Sequence, residues 1–282
     1  VGTEKRARQK ANRAKKLEEV QKVQKKDQWR HYVIIGVLAV VGIGGALLLL
    51  SLGGDETAGE TTTDLTLGTT PETTPSTVAE DAAAVSAPEP GGSIEGTPEC
   101  PAADGSSERI TSFTEAPPTC IDPTATYRAE IDTTLGSIVV DLDPAKAPNT
   151  VNNFVFLSRY HYYDGVPFHR IIPGFVVQGG DATGDPLGTG NPGYLIDEEP
   201  PEPDEYQVGS LAMAKGSGAG STGSQFFIVS GEQGVALPNQ YSLFGQVAEG
   251  LDVVSAIEGL PTRSDDAPTE EIYINSVTIT EN

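Results

Sequence analysis

Apolar positions follow three different patterns along this chain. From Tyr32 to Leu52 they are continuous, YVIIGVLAVVGIGGALLLLSL, 21 residues without a charge. As a helix this run would be about 31 Å long, which matches a hydrocarbon core of roughly 30 Å. Ahead of it, Ala7, Ala11, Ala14, Leu17, Val20 and Val23 recur three or four apart among charged residues, the spacing of a largely solvated helix. Residues 53–98 hold no aromatic and are dominated by Thr, Pro, Gly and Glu. Such a stretch cannot bury enough apolar surface to offset the entropy of ordering, and is expected to be a disordered tether of roughly 40 Å coil span.

Beyond Thr126 the period shortens to two. TYRAEIDTTLGSIVVDLD predicts two strands around a turn at Leu135–Gly136. APNTVNNFVFLSRYHYY predicts a helix opened near Pro148 and Asn149, with Val151, Phe154, Val155 and Leu157/Ser158 on one face. Short apolar runs follow at FHRII, FVVQGG, SLAMA, SQFFIVS and SLFGQV, separated by Gly- and Pro-rich turns. GLDVVSAIEGL predicts a second short helix and IYINSVTIT a closing strand. Many short strands with two helices indicate a mainly β, closed antiparallel barrel. The expected organisation is a basic segment at 1–31, a transmembrane helix at 32–52, a tether at 53–98, a Cys-bounded extension at 99–125 and a folded domain at 126–282.

Charge gives the first of these a direction. Residues 1–31 hold eleven Lys/Arg against four acids, whereas the remainder is strongly acidic and the whole chain carries −22. Excess positive charge before the apolar run places the N-terminal side in the cytoplasm and all that follows outside it. A cleaved signal peptide would have the same orientation, but the lead is long and the apolar run exceeds the usual ~7–15 residues. The expectation is an uncleaved single-pass anchor in the cell membrane, whose basic side can rest on anionic lipid. An acidic body repels phosphate backbones, which argues against nucleic acid as a partner. Cys100 and Cys120 both fall on the exported side, where a pair more often forms a disulfide than stays free. On the chain-entropy argument that bond would stabilise the fold by about 3 kcal/mol. Two Cys and the scattered His31, His161 and His169 do not have metal-ligand spacing, and neither metal nor cofactor is expected.

Two short motifs carry little. Gly218–Gly223, GAGSTG, fits the dinucleotide pattern, yet strand-like SQFFIVS follows where a helix is required. AGSTG around Ser221 lacks the first Gly of a nucleophile elbow. FHRIIPGFVVQGGD, Phe168 to Asp181, says more: on a strand Phe168 and Arg170 share a face, setting a guanidinium beside apolar side chains. By itself that pattern fits a binding site or a structural ion pair.

Three blocks in order, FHRIIPGFVVQGGD, GSLAMAKGSGAGSTGSQFFIVS and LFGQV, closely resemble the signatures of the cyclophilin family, over roughly residues 126–281. The resemblance implies a closed eight-stranded antiparallel barrel with two capping helices, acting as a peptidyl-prolyl cis-trans isomerase on proline-containing polypeptides. It makes Arg170 the catalytic residue. It places Phe175, Val176 (where Met is more usual), Phe227, Leu237 and Tyr241 (where many members carry His) around the proline ring. It also gives Gln178 and Gln225 polar contacts with the substrate and assigns backbone contacts to Lys215 and Gly216. Besides the Val176 exchange, two further departures stand out. The segment from Met213 to Gln225 is one residue longer than the commoner form, and Ala236 replaces an aromatic that helps bind cyclosporin, which speaks against sensitivity to that drug. The resulting expectation is a monomeric isomerase domain acting on exported proteins. The rival reading is a proline-binding chaperone or scaffold with little turnover.

Overall fold

The structure, a computed structural model, describes residues 87–216 and 220–282. The basic segment, the 32–52 run and most of the expected tether lie outside the described residues. Among those described, no helix is long and apolar enough to cross a membrane.

The first hairpin follows directly from alternation. In β3 (Tyr127–Thr133) and β4 (Gly136–Leu142), residues Tyr127, Ala129, Ile131, Ile138, Val140 and Leu142 point inward. The Thr133 hydroxyl donates to the Gly136 carbonyl at 2.6 Å, and Gly136 takes φ +134, so the turn closes at the expected place. The remaining strands are β5 (Val166–Pro167), β6 (Arg170–Ile172), β7 (Val176–Gly179), β8 (Ser210–Lys215), β9 (Thr222–Val229), β10 (Leu243–Glu249) and β11 (Tyr273–Glu281). They form one curled antiparallel sheet in the order β5-β11-β3-β4-β10-β8-β9-β7-β6.

That is nine strands rather than the eight expected, and the reason is a division of labour within one extended segment. Val166–Pro167 pairs with β11, and the Phe168 amide continues this by donating to the Ile272 carbonyl at 2.9 Å. The His169 amide then turns to the Gln178 carbonyl at 3.1 Å, and Arg170–Ile172 pairs with β7. The two ends of the strand order are therefore halves of one stretch of backbone.

Helix α1 (Pro148–Arg159) starts with Pro in its first turn, as expected. Its N-terminal donors are met by the Glu199 carboxylate, which accepts from the Asn149 and Thr150 amides at 3.1 and 2.8 Å. The expected single buried face is a correction: every residue from Thr150 to Arg159 is buried. The outer side of α1 is covered by the segment before the barrel. There Phe113 stacks at 5.1 Å on Phe156 and 5.6 Å on Tyr160, and Asn152 is bonded to both Cys120 and Pro118. Four-residue α2 (Glu232–Val235) was not anticipated, whereas α3 (Leu251–Glu258) lies where the second helix was expected.

Strand structure is present ahead of the expected boundary at residue 98. Strand β1 (Gly92–Ile94) pairs in parallel with β2 (Ile110–Phe113). Thr111 accepts from the Gly91 amide, and Arg109 donates to the carbonyls of Glu89 and His161, so polar contacts hold a stretch with little apolar surface of its own. Cys100 and Cys120 form a disulfide across this extension.

Candidate active site

Period-two geometry also builds the site. Residues opposite one another in a ladder share a face, as do residues two apart on a strand. Arg170 lies opposite Gln178, Gln178 opposite Phe227, Val176 opposite Val229, and Ala212 opposite both Phe227 and Leu243. The sheet therefore has two apolar faces of unequal size. The inner one carries Ile171, Val177, Phe226, Ile228, Leu211 and Phe244 into the main core. The outer one carries Val176, Ala212, Phe227, Val229 and Leu243 into a second, smaller cluster, against which Phe175, Leu237 and Tyr241 pack. Thus the five residues expected to surround a proline ring meet in one place, bordered by Gln178 and Arg170.

Loops close this cup. Tyr241 meets Phe227 edge-on, with ring centroids 5.4 Å apart and planes at 84°. The Tyr206 hydroxyl donates to the Tyr241 carbonyl at 2.6 Å and accepts from its amide at 3.1 Å. Burial pushes the Tyr206 phenol up to about 12, so it stays a neutral donor. On the opposite rim, Gly174 adopts φ +74 in the turn that presents Phe175. The Phe175 carbonyl accepts from the Ser230 amide at 3.0 Å. One Glu258 oxygen then accepts from both the Gly174 amide, at 2.5 Å, and the Ser230 hydroxyl, at 2.8 Å.

The guanidinium is held from two sides. Arg170 Nη1 donates to Gln178 Oε1 at 3.3 Å, and Nε lies 3.6 Å from Asp266 Oδ2. Both members of the ion pair are close to half exposed, so solvent screens it and its role is geometric more than stabilising. Gln178 Nε2 donates in turn to Gln225 Oε1 at 3.1 Å, and Gln225 Nε2 to the Gly190 carbonyl at 3.0 Å. The loop carrying Gly190 is fixed by the fully buried Asp181 carboxylate, which accepts from the amides of Thr183, Gly184, Gly188 and Gly190.

Two hollows of about 310 and 320 Å³ meet at Gln178. The first contains Lys215 and Gly216, which line it with Gln225 and Gly190 and are not part of the apolar cup. The second lies beside Arg170, Leu187 and Arg263. His169 reaches it with neither ring nitrogen hydrogen-bonded, and burial holds its imidazole below the usual value, favouring the neutral form. Ala236 is exposed, so nothing aromatic stands at that rim position. Thr222 and Gly223, the end of the dinucleotide pattern, already lie in strand β9 and not in a helix.

The sequence reading missed Tyr206, Glu258 and Asp266. Only Tyr206 left a trace, as the sole aromatic beside the acid- and proline-rich run 197–205.

Comparisons with known proteins point to one family. The family model for cyclophilin type peptidyl-prolyl cis-trans isomerase matches residues 128–279. The chain is similar to peptidyl-prolyl cis-trans isomerase A of Mycobacterium tuberculosis H37Rv, 41% identical over 175 residues, covering 56% of this chain and 94% of the relative. It is also similar to peptidyl-prolyl cis-trans isomerase-like 1 of Aspergillus niger, 40% identical over 156 residues, covering 53% and 93%. Among solved structures, a Cryptosporidium parvum cyclophilin type isomerase obtained in the presence of the dipeptide Ala-Pro superposes with a TM-score of 0.51 at 33% identity, covering 55% of this chain and 99% of that one.

Proposed function

The chain belongs to the cyclophilin-type peptidyl-prolyl cis-trans isomerases, and on that premise we propose that Arg170 drives X-Pro isomerisation in exported polypeptides from a domain tethered to the membrane. The barrier to be lowered is amide resonance, roughly 18–20 kcal/mol. Twisting the bond makes the prolyl nitrogen pyramidal and returns its lone pair. A permanently charged donor aimed at that nitrogen stabilises the twisted state over both planar ones. The observation that carries the reading is the common outer face, with Arg170 beside an apolar cup sized by Phe175, Val176, Phe227, Leu237 and Tyr241. Gln178 and Asp266 hold the guanidinium from two sides, while Gln225 offers polar contact to the substrate chain.

The test is cis-to-trans relaxation of a short X-Pro peptide. Arg170→Ala, folded by circular dichroism, is expected to lose most of the acceleration; full activity in that variant would refute the mechanism. The membrane tether rests on the uncharged 32–52 run and the basic segment before it. In cells the isomerase domain should be reached by protease added outside and should stay with the membrane fraction. Protection from the protease would overturn the orientation.

A further inference from the structure

We infer that the extension before the barrel is part of the active-site scaffold, with Phe113 a positioning residue for the Gln225 wall. This rests on the Arg170 reading, since Gln225 reaches Arg170 through Gln178.

The extension lies outside residues 128–279 that the family model matches, yet it is built into the barrel. The Ile110 amide donates to the Tyr160 carbonyl, the Tyr160 hydroxyl to the Glu99 carbonyl, and the Cys120 amide to Asn152. The Cys100–Cys120 disulfide closes the loop that bears β2. Phe113, at the end of β2, is 1% exposed and packs on Phe156, Tyr160 and Tyr194.

Its backbone meets the active-site loop. The Phe113 amide donates to the Pro192 carbonyl at 2.8 Å. At Gly193, with φ +101, a Cβ would stand 2.1 Å from the Phe113 carbonyl oxygen, so the approach requires glycine there. Two residues before Pro192, the Gly190 carbonyl accepts from Gln225. The loop is thus held between Asp181 on the inside and Phe113 on the outside. From Phe113 the path is short: Pro192, Gly190, Gln225, Gln178, Arg170. Loosening β2 releases one side of the loop and lets the Gln225 amide, and with it the Gln178 support of Arg170, leave its present geometry.

The experiment uses the full-length chain in detergent and the X-Pro relaxation assay. Phe113→Ala, folded at the assay temperature, is expected to lose kcat/KM by about 10-fold, within the ~10²-fold that an ångström of misplacement can cost. Phe113→Leu, which refills the site, should recover most of it. Gly193→Ala pushes the loop off the strand with Phe113 intact and should slow the enzyme similarly, which keeps the test open if Phe113→Ala does not fold. Side-chain amide resonances of Gln178 and Gln225 should shift in both slow variants, a change that lost stability alone would not produce. Rates within about twofold of the parent, the scatter of neutral surface substitutions, with those resonances unmoved, would overturn the inference. Arg170→Ala in the same assay reports separately on the catalytic reading.

Discussion

Glu258 ties the Gly174 turn to Ser230 on one rim of the apolar cup through a single carboxylate oxygen, and its removal should be felt in both stability and binding. In Glu258→Ala the Gly174 amide and the Ser230 hydroxyl, now at 2.5 and 2.8 Å from that oxygen, lose their acceptor. Hydrogen bonds to a charged group contribute about 1.5–3 kcal/mol each, and partial exposure of the site favours the low end, giving about 3 kcal/mol for the two. For a domain of this size that corresponds to a Tm lower by about 6–12 °C. The Gly174 turn carries Phe175, so the ring must be ordered again whenever substrate binds. Immobilising one side chain costs about 0.5–1.5 kcal/mol, which raises KM by about two- to twelvefold. Because Arg170 is untouched, kcat should change little. Glu258→Gln keeps one oxygen able to accept from both donors and should fall between parent and Ala. The measurements are thermal unfolding by circular dichroism and separate kcat and KM values from X-Pro relaxation. A Glu258→Ala protein with unchanged Tm and KM would refute the bridge, and a fall in kcat alone would show that its effect reaches Arg170 instead.

Two further outcomes follow from the same geometry. Tyr206→Phe leaves the Tyr241 amide and carbonyl without their shared partner, at a cost of about 1–3 kcal/mol, and should raise KM by loosening the ring that closes on Phe227; an unchanged KM would detach Tyr206 from the site. His169 is held neutral by burial, so below its ordinary value of 6.5 the unfolded chain takes up a proton that the folded one refuses. Its contribution is therefore complete above that pH and lost as pH falls, by up to about 1.4 kcal/mol per unit. Urea titrations between about pH 6.5 and 5.5 should show a shallower decline for His169→Leu than for the parent, and parallel declines would count against it.

The family resemblance, more than alternation, made the candidate site readable in advance. Alternation alone set Phe168 and Arg170 on one face, whereas Phe168 packs into the main core and Arg170 lies beside Gln178 and Phe227 on the outer face, a register that no local pattern fixes. What stayed hidden depends on partners distant in sequence. Glu258 meets Gly174 across 84 residues, and nothing in GLDVVSAIEGL marks its last acid as different from any exposed helix charge. Asp266, 3.6 Å from the Arg170 guanidinium, stands in a loop whose backbone takes φ +66 there, a conformation that no local pattern announced. Burial of both sides of α1 was equally unreadable, since it depends on Phe113 and Asn152 contacts with a segment whose composition resembles a tether. Gly92–Ile94 was missed for the same reason: GSI has weak strand propensity, and its order comes from Arg109 and Thr111.

A peptidyl-prolyl isomerase takes up proline-containing peptide, and an open row of peptide groups along its sheet would invite an extended chain to add itself as a further strand. The segment Val166–Ile172 spares this protein that hazard by serving two neighbours in succession. On the flank of β6 the Ile171 amide is already taken by the Asp266 carbonyl at 2.8 Å. An extended chain arriving at this flank therefore meets side chains and not a vacant ladder, which disfavours lasting strand addition.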